Sequence, residues 1–219
     1  MSPEIGRVEK PEAEQFKRSR KLYLVPLVVH GETSPEEFKE KVQAYWREVK
    51  GQLANLESRI GQVRHVYHES IVIGDEAGIK VMEEFNPVGS EITREKCAAG
   101  AVFELTEDRQ LAEEAMDWER CLLLGFMTDT VAGKVSEFHA EASRKRYEHI
   151  AKRIDETLKD EEAGLIFIHE GHRVQFPKSI EVFIVFPPSL NEIHRWLRDQ
   201  AEKRQKQAVE ETEKAEKGG

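Results

Sequence analysis

Cysteine is scarce. The chain has only Cys97 and Cys121 and no C-x-x-C pair, which excludes a disulfide framework and a cysteine-built zinc site. Long apolar runs are missing as well: no stretch approaches the roughly 18 residues that a membrane helix requires. Met1 to Lys21 is polar throughout and lacks the apolar core of a secretory signal peptide. A cytoplasmic protein with no membrane partner is therefore expected. The common cofactor and hydrolase signatures are also absent, with no G-x-G-x-x-G, P-loop, G-x-S-x-G, H-E-x-x-H or EF-hand loop. Positive charge is in deficit, with 33 Lys and Arg against 42 Asp and Glu. The resulting net charge of -9 repels phosphate backbones on average, so nucleic acid is not the expected partner unless a local basic face overrides the average.

What remains is a folding composition. Hydrophobic residues make up 39% of the chain and charged residues 34%, enough to build one core beneath a heavily charged surface. Residues 1–20 carry Pro3, Gly6 and Pro11 with few apolar anchors and read as a flexible leader. Residues 21–200 read as a single α/β domain, and 201–219 as a charged helical tail, frayed at its end. From Arg198 onward six basic residues face six acidic ones, the balance of a salt-bridged solvated helix.

Within the domain, apolar, β-rich runs at 22–29, 63–73, 164–168 and 180–186 predict strands. Pro26 argues for an edge position or a bulge in the first. About ten residues separate the last two runs, which favours an antiparallel neighbour pair. Helices are predicted at 35–60, 76–85, from Thr106 through about 127, at 130–158 and at 189–214. Residues 87–104 fit no pattern. Ser34 with Glu37 and Ser189 with Glu192 have the spacing of capping boxes. Phe38, Val42, Tyr45, Trp46, Val49, Leu53, Leu56 and Ile60 form one apolar stripe. From Cys121 to Met127 the helix becomes apolar on nearly every side, which predicts burial. The expected fold is one mixed sheet of about four to five strands flanked by long helices, with a charged C-terminal helix.

Three groups of side chains could carry chemistry. His30 follows the first predicted strand, His65 and His68 lie on the second, and His169-Glu170-Gly171-His172 follows the third; ligands of α/β sheets gather where strands run out into loops. If His30, His68 and His172 converge with Glu69 or Glu170 near, they could bind a divalent metal. Asp117, Glu119 and Arg120 lead into the segment expected to be buried, where an acid and an arginine must meet each other or a ligand. Lys145, His149 and Lys152 share one helix face that could meet phosphate. Glu141–Lys145 and Glu148–Lys152 are nevertheless i,i+4 pairs of favourable polarity, which points to a salt-bridged solvated face.

Several stretches carry a resemblance. Ala115-Met116-Asp117-Trp118-Glu119-Arg120-Cys121, the run Arg146-Tyr147-Glu148-His149-Ile150 through Leu158, His172-Arg173-Val174-Gln175-Phe176-Pro177, and Pro187-Pro188 with Glu192 to Asp199 resemble a family of uncharacterised bacterial proteins. That likeness spans about residues 20–200 and implies no activity. A basic helix at 144–158 followed by Gly164-Leu165-Ile166-Phe167-Ile168 is similar in order to the middle domain of archaeal and eukaryotic peptide-chain release factors. Their Gly-Gly-Gln tripeptide is missing here, so this likeness implies an RNA- or ribosome-facing relative rather than peptidyl-tRNA hydrolysis.

The leading expectation from sequence is a non-enzymatic binding or regulatory module that self-associates as a homo-oligomer through its amphipathic helices. The alternatives are a metal-dependent enzyme using the strand-end histidines, and an RNA- or ribosome-associated factor using the basic helix face.

Overall fold

The computed structural model describes residues 19–217; all but the last two residues of the expected leader lie outside that range. Five strands form one sheet: β1 (Arg20–Pro26), β2 (Val63–His68), β3 (Val102–Phe103), β4 (Ala163–Ile168) and β5 (Ile180–Ile184). Their order is β3-β2-β4-β1-β5, and every pairing is parallel. The α/β class and the strand number are as the sequence predicts, but the sheet is parallel throughout rather than mixed. Burial explains this: β4 reads Ala-Gly-Leu-Ile-Phe-Ile and is buried at every position, the pattern of a central strand covered on both faces.

β4 and β5 are not the antiparallel neighbours expected from their short connection, because β1 lies between them. A crossover needs no helix here. Residues 169–179 in extended form reach roughly 36 Å, more than the roughly 20 Å length of a six-residue strand. Val174 and Phe176 of this connection pack on the sheet beside Leu22, Leu24 and Ile180, so the crossover itself seals part of the core. Pro26, read as an edge or bulge signal, closes an interior strand. Its missing N–H falls at the strand end, and Leu27 N–H takes up the ladder by donating to the Ile168 carbonyl at 2.9 Å.

Six helices complete the described residues: α1 (Glu36–Ile60), α2 (Asp75–Phe85), α3 (Pro87–Ala98), α4 (Arg109–Leu122), α5 (Asp129–Thr157) and α6 (Pro188–Lys217). The stripe of α1 packs on the chain's own sheet, against Tyr23, Val25, Leu165 and Phe167, together with Leu190 and Ile193 of α6. Trp46 Nε1–H donates to the Val28 carbonyl at 3.0 Å and Tyr45 donates to that of Pro26. These bonds fix α1 to the end of β1. Neither capping box forms: α1 starts without a side-chain cap, and Ser189 donates instead to Glu48 of α1 at 2.7 Å. The unassigned segment contains α3, which Asn86 caps by accepting from Gly89 N–H at 3.0 Å. The tail continues as helix through Lys217.

On the other face, Ile150, Ile154 and Leu158 cover Leu22, Leu24, Tyr67, Ile166 and Ile168. Only the second half of α5 does this. At 29 residues α5 is roughly 43 Å long, about twice the strand length, so its first half leaves the sheet and carries α4 as an antiparallel partner. The burial expected for 121–127 is therefore overturned. Leu123 is 84% exposed, Leu124 63%, and Met127 fully, because the turn between the two helices stands clear of the sheet.

Candidate functional site

The two connections leaving the middle of the sheet diverge. From β2 the chain runs outward to β3, and from β4 it runs the opposite way to β5. Between diverging connections, the carboxyl ends of parallel strands leave a crevice, the usual ligand position in open α/β sheets. Glu69 follows β2 and His169 follows β4, so both stand in that crevice. There they meet. A Glu69 carboxylate oxygen accepts the His169 backbone N–H at 2.6 Å, and the other accepts the ring Nδ1–H at 2.7 Å. The bidentate hold fixes the imidazole so that Nε2 faces outward, 3.2 Å from the Tyr147 hydroxyl of α5.

Beneath this chain of contacts lies a second carboxylate. Glu107 follows β3 and its side chain is fully buried. It accepts Arg146 Nε–H with both oxygens at 3.0 Å, a further bond from Arg146 Nη2, and Ser70 N–H at 2.8 Å. Arg146 Nη2 also stands 3.9 Å from Glu69. Two buried carboxylates thus share one guanidinium, and the remaining negative charge favours a proton on His169. Its pKa is raised, first by the hydrogen bond to Glu69 and, despite some burial, by that carboxylate's charge. Burial raises Tyr147 and keeps the phenol protonated. His172, with its ring centroid 6.4 Å from that of His169, is lowered by burial and by His169.

The His169–Tyr147 pair opens into a groove of about 880 Å³ between α4, α5 and the β4–β5 connection. Its depth comes from small side chains: Ala115, Ala140, Ser143, Ala151 and Gly171 all line it. The volume suits a drug-sized ligand.

The candidates read from sequence separate as follows. Glu119 lines the groove. Asp117 and Arg120 pair with each other at 3.0 Å in the open and border a smaller neighbouring hollow of about 480 Å³. The buried ion pair joining two helices that was expected of this segment is absent among the described residues: the pair found is exposed and lies within α4, three residues apart. The four metal candidates do not form a cation site. His30 is exposed and bonds the neighbouring Gly31 carbonyl. His68 is buried, donates from Nδ1 to the Glu69 carbonyl and meets Asn86 Nδ2 at Nε2. Glu170 pairs with His194 at 2.6 Å, and His172 Nδ1 accepts from Val174 N–H at 3.3 Å. Among the described residues no group of three or more His, Cys, Asp or Glu is placed to hold a metal ion.

On the basic face, Lys145 pairs with Glu141 at 2.9 Å. Lys152 reaches Glu156 at 3.8 Å rather than the expected Glu148, which pairs with Arg144. His149 is half-buried. In the sequence His169 follows the third predicted strand and Glu69 falls within the second, with nothing to join them, and Glu107 carries no signal at all. No protein-family model, curated protein or solved structure matches this chain.

Proposed function

We propose that this protein binds a small polar molecule in the groove at the carboxyl end of its sheet and exchanges a proton with it at Nε2 of His169. One observation carries this reading: a buried carboxylate, an imidazole and a phenol stand in line where the β2 and β4 connections diverge, at the floor of an open groove. Glu69 is the positioning residue. It holds the ring in one orientation, and its negative charge favours the imidazolium, which suits His169 to act as an acid near neutral pH. Tyr147 either relays that proton or yields its place at Nε2 to the ligand. The groove comes ahead of the non-catalytic module expected from sequence because a carboxylate–imidazole pair held this closely costs desolvation and contributes little to the core.

The test is the titration of His169 followed by NMR. His169 is expected to titrate above the ordinary 6.5 of histidine with Nδ1 protonated throughout, and Glu69→Gln is expected to lower its pKa. A His169 pKa at or below the ordinary value, unmoved by Glu69→Gln, would sink the proposal.

A further inference from the structure

The charges lining the groove do not all cancel inside the protein. Arg146 is held by Glu107 and Arg144 by Glu148 at 2.7 Å. Glu119 on α4 and Arg173 on the β4–β5 connection line the same groove, and neither side chain has an ion-pair partner among the described residues. The Glu119 carboxylate is close enough to the floor that its charge adds to the upward shifts of both Tyr147 and His169. Ala115, Met116, Ala140 and Ala151 line the groove as well and give it apolar wall beside the charges.

A groove lined by a carboxylate and a guanidinium that lack ion-pair partners among the described residues, with apolar side chains beside them, matches a ligand that carries both charges on an apolar body. We infer that the groove takes a small zwitterion with an apolar body, the chemistry of an amino acid or short peptide, with its ammonium group toward Glu119 and its carboxylate toward Arg173. The inference rests on the reading of the groove as a ligand site and names the ligand class. A singly charged ligand would leave one of the two charges without a partner. The arginine also suits the carboxylate end geometrically, since a guanidinium can hold a carboxylate through two parallel bonds.

The experiment is saturation-transfer NMR followed by calorimetry at neutral pH, with the free amino acids and a randomised dipeptide pool with both ends free. The same pool is then used N-acetylated and, separately, C-amidated. Free-ended ligands are expected to bind, and blocking either end is expected to weaken binding roughly tenfold or more. Glu119→Gln should remove the penalty for acetylation and leave that for amidation, and Arg173→Gln should do the reverse. Both side chains are exposed, so neither change threatens the fold. Silence from the free-ended pool at millimolar concentration, or equal binding of the blocked pools, overturns the zwitterion. Those results leave the raised His169 titration in place, whereas failure of the proton-exchange reading shows as an unshifted His169 whatever binds.

Discussion

Two histidines next to the same residue behave in opposite ways, and their surroundings say why. His68 is fully buried against Phe85 and Phe167, and burial lowers its pKa from 6.5 to about 4. The unfolded chain takes up that proton near 6.5 and the folded chain only near 4. Its contribution to stability is therefore present above pH 6.5 and lost as pH falls toward 4, up to about 3 kcal/mol by linkage. His169 is raised, so its contribution has the other sign: complete below the unfolded value and lost as pH rises through the folded one. Urea unfolding at pH 7 and pH 4.5 is expected to show a smaller acid loss in His68→Gln than in the parent protein. Equal acid losses would mean that His68 is not buried neutral. The sequence places His68 on one predicted strand and His169 just after another, but not that the first turns its histidine into the core while the second releases it into a crevice. That difference depends on which neighbour each ring meets, and Asn86, Glu69 and Tyr147 are all distant in sequence from at least one ring.

At the scale of elements, Arg146 joins three pieces of chain: α5, which carries it, the β3–α4 connection through Glu107, and the end of β2 through Glu69. Arg146→Met leaves two buried carboxylates without their cation and is expected to cost about 3–5 kcal/mol in chemical unfolding. Adding Glu107→Gln to that variant should restore part of the loss. A single-variant cost under about 1 kcal/mol would show that the network is solvated. α2 depends on a different contact. A Cβ at Gly78 would stand 2.2 Å from the Ile73 carbonyl oxygen and 2.9 Å from Phe103. Backbone cannot step aside as a side chain tip can, so Gly78→Ala is expected to destabilise by about 1–3 kcal/mol or more. The same substitution at Gly51 of α1, where a Cβ meets nothing within 4 Å, should be neutral or stabilising.

Helices α1, α2, α5 and α6 were legible to within a few residues because their apolar periodicity is strong, and the apolar runs of β1, β4 and β5 announced themselves by composition. Strand direction was not legible. A short connection suggests a hairpin, and only the presence of β1 between β4 and β5 makes it a crossover. Helix α3 was hidden because Gly89, Ser90 and Thr93 share its buried side with Ile92, so no apolar stripe marks it.

At the scale of the molecule, the buried layers and the projecting pair of helices obey different rules. Leu165 lies in the central strand with no exposure, and Leu165→Ala is expected to cost about 2–5 kcal/mol. Leu124, apolar and in a run that reads as core, sits in the exposed turn between α4 and α5. Leu124→Ser should change stability by less than about 0.5 kcal/mol. Similar losses at the two sites would place that turn inside a packed interface. The self-association expected from the sequence rested on the apolar stripes of two long helices, α1 and α6; the stripe of α1 packs on the chain's own sheet together with Leu190 and Ile193 of α6. Among the described residues no helix is long and apolar enough to cross a membrane.

The connection from β4 to β5 has a practical consequence. From its sequence, with Gly171 and Pro177, it invites a tag, a cleavage site or new chain termini, as a surface turn would. In the fold the same stretch carries His169 and Arg173 on one side and lays Val174 and Phe176 over the strands on the other. Inserted residues there would unseat the wall of the groove and uncover the sheet together. The turn at Leu123 to Met127, which by composition looks like the last place to cut, is where the chain can be opened or extended with the least harm.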